Sequence, residues 1–152
     1  MATRKIKSGE SFQFNATAVG MSLTFSGAVP AESVTMTAPA EGFNYWGNPF
    51  PADVDIQTIL PSAQGGNIQF LNAAQGCSEY YYWYKASNGE AGPKGKKVKT
   101  DKEGLWFQRI YNWSTGKVSE EFVATRQVKA GEGFQFSCSA GVSLTIPKPY
   151  SL

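Results

Sequence analysis

The chain lacks the side chains on which much protein catalysis depends. It contains no histidine among its 152 residues, which removes the commonest general base, the Ser/His and Cys/His pairs, and the usual zinc ligand. Its carboxylates, such as Glu120 and Glu121, show no spacing that would pair an acid with a base or a nucleophile. We therefore predict that the protein is not an enzyme and holds no cofactor.

The two cysteines, Cys77 and Cys138, allow one intrachain disulfide. They show no CxxC spacing, and without histidine they are not expected to form a zinc site. A disulfide would require their Cα atoms to lie within about 7 Å of each other. The alternative is two buried free thiols, a common state of cysteine.

Oxygen ligands for a metal ion are also sparse. Asp53 and Asp55 follow Asn48 and could contribute to a calcium site, because calcium needs several oxygens around a rigid turn. Two carboxylates without the remainder of a binding loop are weak evidence, and we predict no metal site. Asp53 could instead cap a short helical turn before Pro61.

Aromatic residues, 14% of the chain, are better candidates for ligand contact. In residues 78–84 the alternation of a strand would place Tyr81 and Trp83 on one face and three tyrosines on the other. One set, with Trp106 or Trp113 beside it, could form a flat platform for sugar rings. The alternative, which we favour, buries both sets between sheet layers or in a subunit interface.

Charge and hydropathy narrow the choice of partners. The net charge of +2 is close to neutral, which argues against nucleic acid. Lysines cluster in the Gly-rich stretch 87–103, which could bind an acidic polymer, but a solvated loop is the favoured interpretation. No apolar run is long enough to span a membrane, so we predict no membrane insertion.

The proportion of charged residues, 17%, is low and suits an extracellular, cell-surface or assembled protein. Residues 1–5 carry charges with no apolar core behind them, so we do not expect a signal peptide here. We predict an extracellular or cell-surface location, with any export signal absent or already removed.

One segment of the chain occurs twice. Residues 5–14 and 127–136 share Lys, Gly, Glu, Phe, Gln and Phe at equivalent positions, and Ser-Leu-Thr follows each of them. We call residues 5–25 the first copy and residues 127–146 the second copy. Each has the alternation of a strand, a small-residue turn and a second strand, as in a hairpin. We expect their large apolar residues to be buried: Phe12, Phe14, Leu23, Phe134, Phe136 and Leu144.

Many short alternating stretches are separated by turn residues, and no long window has a helical period. This pattern predicts an all-β fold, an antiparallel β-sandwich or jelly-roll-like barrel with a duplicated terminal hairpin. The length suits a single domain over residues 1–152. Within it, residues 1–28 would be an extra copy of the closing hairpin and residues 29–152 one full module.

Two motifs resemble a known family. The stretch 42–51 contains Gly-Phe-Asn and Gly-Asn-Pro-Phe-Pro, and residues 131–134 read Gly-Glu-Gly-Phe. They resemble the opening and closing strands of tandem all-β modules in bacterial surface proteins. The resemblance covers about residues 29–147, and residues 4–28 match the closing part of a preceding module. It implies a module without known catalytic residues.

The sequence therefore predicts a non-enzymatic structural or interaction module that self-assembles. A closing element at both ends favours a homo-oligomer or head-to-tail polymer, because such contacts generate filaments or rings. The candidate assembly residues are Phe12, Phe14, Phe134 and Phe136. The alternative is a carbohydrate-binding module that holds a glycan on exposed aromatic residues, the candidates being Tyr81, Trp83, Trp106 and Trp113.

Overall fold

The computed structural model describes residues 5–12, 18–20, 27–63, 66–72, 76–84, 100–112 and 114–150. Within these ranges, short alternating stretches form strands, as their β-branched and aromatic residues favour. The strands are β1 (Val34–Thr37), β2 (Gly42–Gly47), β3 (Val54–Asp55), β4 (Leu60–Pro61), β5 (Asn67–Asn72), β6 (Gly76–Tyr84), β7 (Leu105–Asn112), β8 (Lys117–Val123), β9 (Gln127–Val128), β10 (Gly133–Cys138) and β11 (Ser143–Ile146).

These strands form three antiparallel sheets. The largest has six strands in the order β2-β10-β5-β6-β7-β8, the second has the order β1-β11-β4, and β3 pairs with β9. The all-β prediction is confirmed, and the layers are consistent with a β-sandwich. The described strands do not close into a barrel.

The hydrophobic core lies between the layers. Phe136 and Ile68 reach it from the six-stranded sheet, and Leu144 and Ile146 reach it from the three-stranded sheet; all four are fully buried. Trp46 stacks on Phe136 with ring centroids 5.2 Å apart. Strand alternation therefore places one apolar face of each sheet against the other.

The two longer strands of the second copy, β10 and β11, belong to different layers. β10 lies in the six-stranded sheet and β11 in the three-stranded sheet, so they do not pair as the predicted hairpin. Both strands carry large apolar residues that must be buried, and crossing between facing sheets buries both sets at once. The second copy is therefore a corner that joins the two sheets.

The Gly-Asn-Pro-Phe-Pro motif anchors the loop that follows β2 through hydrogen bonds. The Asn48 amide, 3% exposed, donates to the carbonyls of Ala52, Val128 and Lys129 at 2.8–3.2 Å, and its Oδ1 accepts from Phe50 N at 3.0 Å. One buried side chain thus satisfies four backbone groups. It fastens the loop after β2 to β9.

A short 3-10 helix, Ile56–Thr58, follows β3, in agreement with the short helical turn expected before Pro61. Its cap is Asp55 rather than Asp53: the Asp55 carboxylate accepts from the backbone N of Gln57 at 2.9 Å. The Gln57 side chain then exchanges two hydrogen bonds with the backbone of Trp106, at 2.9 and 3.0 Å. The turn is thereby tied to the start of β7.

The two edges of the six-stranded sheet differ. At one edge β8 has β7 as its only neighbour among the described strands, and it exposes Lys117 and Glu120. Charges on an edge strand oppose pairing with other chains. At the other edge Glu10 forms an antiparallel bridge with Trp46 of β2, whose other side pairs with Phe134 of β10. Strand β2 therefore lies between the two copies.

Candidate binding face of the six-stranded sheet

Three of the four aromatic residues considered as candidates for a sugar platform lie inside the protein. Tyr81 and Trp83 are 2% and 5% exposed, Trp106 is fully buried, and all three pack in the hydrophobic core. The indole N–H of Trp106 donates to the Ile59 carbonyl at 2.8 Å. The favoured interpretation, burial, is therefore confirmed for these three residues, and their rings are not available as a sugar platform. Trp113 lies outside the described residues.

The opposite, outer face of the six-stranded sheet carries a line of polar and aromatic residues. Residues that alternate with this line, such as Trp46, Phe136 and Tyr81, face the core. One residue from each strand lies directly opposite the next. With neighbouring strands about 4.8 Å apart, the line is roughly 24 Å long. We call it the outer row: Tyr45, Gln135, Gln69, Tyr80, Arg109 and Glu121.

At its β2 end the outer row presents open aromatic rings. Tyr45 is 46% exposed, and Phe43, on the same face of β2, is 58% exposed. The Nε2 atom of Gln135 donates to the Tyr45 hydroxyl at 3.0 Å. An exposed ring and an ordered amide therefore lie side by side.

At its β8 end the outer row is a charged network. Arg109 donates from Nε to Oε2 of Glu121 and from Nη2 to the Tyr84 hydroxyl, both at 2.6 Å. Lys102 also donates to Glu121, and the Arg109 guanidinium lies 3.7 Å from the Tyr82 ring centroid. Two cations share one carboxylate, so the network carries a net charge of about +1 at neutral pH.

The protonation states of these residues follow from their neighbours. Burial raises the pKa of the Glu121 carboxyl, but hydrogen bonds from Lys102, Arg109 and Tyr84 outweigh it, and the pKa is lowered overall. Burial lowers the pKa of Arg109, but Glu121 and Tyr84 raise it by more. Burial raises the pKa of Tyr80 well above its ordinary value. At neutral pH the row thus offers one ion pair and the uncharged phenol of Tyr80.

A groove of about 770 Å³ lies beside the β2 end of the outer row. The first copy forms one wall, and strands β1 and β2 form the other. Phe12, Phe43 and Tyr45 contribute aromatic rings to the lining, while Lys7 and Glu10 contribute charges. The groove and the outer row therefore share Tyr45.

The first and second copies form the same turn. In the first copy, Lys7 N donates to the Glu10 carboxylate at 3.1 Å and Glu10 N donates to Lys7 O at 3.0 Å. Lys129 and Glu132 make the same two bonds in the second copy, at 2.8 and 2.9 Å. The intervening glycine has φ of 80° in the first copy and 69° in the second, a region that L side chains disfavour. The repeat is thus a structural repeat at this turn.

The predicted burial is confirmed for the second copy. Phe134 is 2% exposed, and Phe136 and Leu144 are fully buried. The equivalent Phe14 and Leu23 of the first copy lie outside the described residues. The second copy is therefore part of the core.

The predicted burial is wrong for Phe12, which is 47% exposed. The reason is the register on the two sides of β2. Trp46 lies opposite Phe134 in the second copy but opposite Glu10 in the first. The first copy is therefore shifted by two residues, and Phe12 lines the groove instead of packing beside Trp46.

The possible disulfide between Cys77 and Cys138 is not formed in the structure. Cys138 is a free, half-buried cysteine, and burial raises the pKa of its thiol. Cys77 pairs with Leu71 on β5, whereas Ser137, next to Cys138, pairs with Asn67. Four residues of strand separate these positions by about 13 Å, which exceeds the disulfide limit of about 7 Å.

The two aspartates considered for calcium make structural contacts. Asp53 accepts hydrogen bonds from Nζ of Lys129 at 2.7 Å and from Ala130 N at 3.0 Å, while Asp55 caps the 3-10 helix through Gln57. In the part of the chain that the structure describes, no group of three or more His, Cys, Asp or Glu could hold a metal ion.

The remaining sequence predictions concern the lysine-rich stretch and membranes. Lys102 ends a 3-10 turn, Thr100–Lys102, and contacts Glu121, so it belongs to the charged network. The preceding residues 85–99 lie outside the described part of the chain. Among the described residues there is no helix with the length and apolar character needed to cross a membrane.

Comparisons of the chain with protein-family models, with curated proteins and with solved structures found no match. The resemblance to tandem surface-protein modules therefore stays a prediction, carried by the motifs of residues 42–51 and 131–134. The fold and the contacts of named side chains remain the basis for a functional argument.

The outer row was not predicted from the sequence. Its members come from six separate segments, and their alignment depends on a strand order that places β10 between β2 and β5. The only available signal was the alternation of residues 80–84, which separates Tyr80 from Tyr81 without indicating which of them faces the core.

Proposed function

We propose that the protein is a non-enzymatic structural or interaction module whose copies join head to tail through the first copy. The observation that carries this proposal is the seat of the first copy on the outer edge of β2. Gly47 N donates to Gly9 O at 3.0 Å, and Ser11 N donates to Tyr45 O at 3.2 Å. Both bonds are between main-chain atoms.

Addition of a strand to a sheet edge depends on such main-chain hydrogen bonds. Any chain that carries a suitable segment can therefore supply the added strand. Among the described residues of the first copy, the large apolar side chains bury little surface here, since Ile6 and Phe12 are 45% and 47% exposed. Close packing occurs instead at Gly9, where a Cβ atom would lie 2.4 Å from the Met36 sulfur. The site on the β2 edge therefore requires the glycine of the repeated turn, while the rest of the described segment makes few side-chain contacts there.

The first copy of one chain can make the same bonds to β2 of the next. Such a contact uses a different surface on each partner, so it generates a filament or ring instead of a closed two-fold dimer. The low proportion of charged residues and the resemblance to tandem surface modules support an extracellular or cell-surface setting. The absence of histidine supports a role without catalysis.

The test is the mass of the full-length protein by size-exclusion chromatography with light scattering across a wide concentration range. We expect mass to rise with concentration for the natural chain. Ser11→Pro removes the N–H that donates to Tyr45 and should return the protein to a monomer. Ser11→Ala keeps that N–H and should assemble like the natural chain.

Deletion of residues 1–28 gives a second, independent test. A folded and monomeric product from an assembling parent would support the proposal. An unfolded product would show instead that the first copy is integral to the domain. A full-length chain that stays monomeric at high concentration would end the assembly hypothesis.

A further inference from the structure

We propose that the outer row is a binding site for a linear, uncharged polysaccharide that lies across the strands of the six-stranded sheet. This inference does not rest on self-assembly. The candidate sugar site is no longer the buried set of aromatic residues but the opposite face of the same sheet.

The shape of the site suits a chain-like ligand. Six side chains follow one another across six neighbouring strands, and the line is roughly 24 Å long. A compact ligand would contact only part of such a line. A polymer of sugar rings can use its whole length.

The chemistry of the row suits sugars. Amide groups of Gln135 and Gln69 lie between Tyr45 and Tyr80, and each amide can donate to and accept from hydroxyl groups. The exposed rings of Tyr45 and Phe43 offer apolar faces for the C–H faces of a pyranose. Aromatic surfaces with a few oriented polar groups are the usual composition of a small-ligand site.

The charges favour an uncharged ligand. Arg109 and Glu121 are paired at 2.6 Å, with side chains 16% and 15% exposed, and Lys102 contacts the same carboxylate. Because the carboxylate offsets one of the two cations, the network keeps a net charge of only about +1, and it does not form a cationic cluster that would select a polyanion. The paired guanidinium and carboxylate present directed donors and acceptors to hydroxyl groups.

A protein partner fits this row less well. The row contains no aliphatic residue, whereas the core of a protein interface is depleted in charged side chains and more apolar than its rim. The row is also ordered before binding, since Gln135 bonds Tyr45 and Arg109 bonds both Glu121 and Tyr84. Side chains already fixed lose less entropy when a ligand binds.

The experiment is affinity electrophoresis of the full-length protein in gels that each contain one polysaccharide. The uncharged probes are mixed-linkage β-glucan, xylan and galactomannan, and the charged probes are polygalacturonate and heparin. We expect at least one uncharged probe to retard the protein. Tyr45→Ala and Gln135→Ala should each weaken that interaction by about tenfold or more.

A matched control is Phe122→Ala, which removes a comparably exposed ring, 44% exposed, whose strand position alternates with Glu121 and so lies off the row. It should bind like the natural chain, and circular dichroism should show all three variants folded. Retardation by polygalacturonate or heparin alone would overturn the proposal, as would unchanged binding of Tyr45→Ala and Gln135→Ala.

The assembly proposal and the glycan proposal can be disproved independently of each other. Ser11→Pro should lose assembly and keep polysaccharide binding, because the bond it loses is to the main-chain oxygen of Tyr45, while the Tyr45 ring and Gln135 are unchanged. If Tyr45→Ala instead lowers the assembled mass and no uncharged probe retards the natural chain, the row is a contact between copies and the glycan site is wrong.

Discussion

In both copies of the repeated segment a glutamate carboxylate accepts from a backbone N–H three residues earlier, and a glycine with positive φ lies between them. Beyond this turn the copies diverge. Phe134 is 2% exposed, whereas Phe12, its equivalent, is 47% exposed. The same local sequence has thus been placed in two environments.

The difference shows which properties are local and which are tertiary. The turn depends on hydrogen bonds between residues three apart, so each copy can form it independently. Burial depends on neighbours: β10 lies between β2 and β5, while the first copy lies on the outer edge of β2. A residue such as Phe12 is therefore exposed because of its position in the sheet, despite its hydrophobicity.

The largest expected effect compares Phe134→Ala with Phe12→Ala. Phe134 packs against the Phe70 ring at 5.9 Å between centroids, and its truncation should lower the free energy of unfolding by about 3–5 kcal/mol. Phe12→Ala should cost less than about 1 kcal/mol. Urea unfolding at equal protein concentration measures both. Equal losses in the two variants would show that the copies are energetically equivalent after all.

An intermediate effect is expected at Asn48, which fastens the loop after β2 to the strand that leads into the second copy. Asn48→Ala leaves buried backbone groups of Phe50 and Val128 without their partner and should cost about 1–3 kcal/mol.

The matched control for that change is Asn44→Ala on the same strand. The bonds of the Asn44 side chain to backbone carbonyls are longer, at 3.3 and 3.5 Å, so thermal unfolding should show a smaller loss. A greater loss at Asn44 would mean that the motif does not anchor the second copy.

The smallest expected effect depends on pH. Hydrogen bonds from Lys129 and Ala130 lower the pKa of the Asp53 carboxyl below its ordinary value, so the native state favours the charged carboxylate. The resulting stability is present above the unfolded pKa and is lost as pH falls through the lower folded value. Asp53→Asn should therefore differ from the natural chain at pH 7 and converge with it in strong acid.

Urea midpoints measured from neutral to strongly acidic pH would detect this convergence. Asp101→Asn, at an exposed aspartate outside the second copy, is the control and should run parallel to the natural chain. If the urea midpoints of Asp53→Asn and the natural chain differed by the same amount at every pH, the charge of Asp53 would not stabilise this turn.

Much of the fold was predictable because strand alternation is a local property. The all-β class, the strand that contains Tyr80–Tyr84 and the burial of Phe134 and Phe136 follow from residues close together in the chain. The helical turn before Pro61 was also expected, but its cap was assigned to Asp53, two residues before the observed cap Asp55.

The alignment of the outer row was not predictable, and the reason is physical. Period-two alternation shows that Tyr80 and Tyr81 face opposite ways, but a strand rich in aromatics has no clearly polar side that identifies the solvent face. The alignment of Tyr45 with Glu121 across the sheet depends on which strands are neighbours. That order is set by contacts between residues far apart in the chain, such as Gln135 and Gln69.

The unlike edges of the six-stranded sheet give the molecule a direction. At β2 the edge accepts a strand from the first copy, whereas at β8 exposed Lys117 and Glu120 discourage pairing. Units joined through the β2 edge would therefore all point the same way. A filament built from them would have two chemically different ends, one with an empty β2 edge and one with an unused first copy, so growth and termination could be controlled separately at each end.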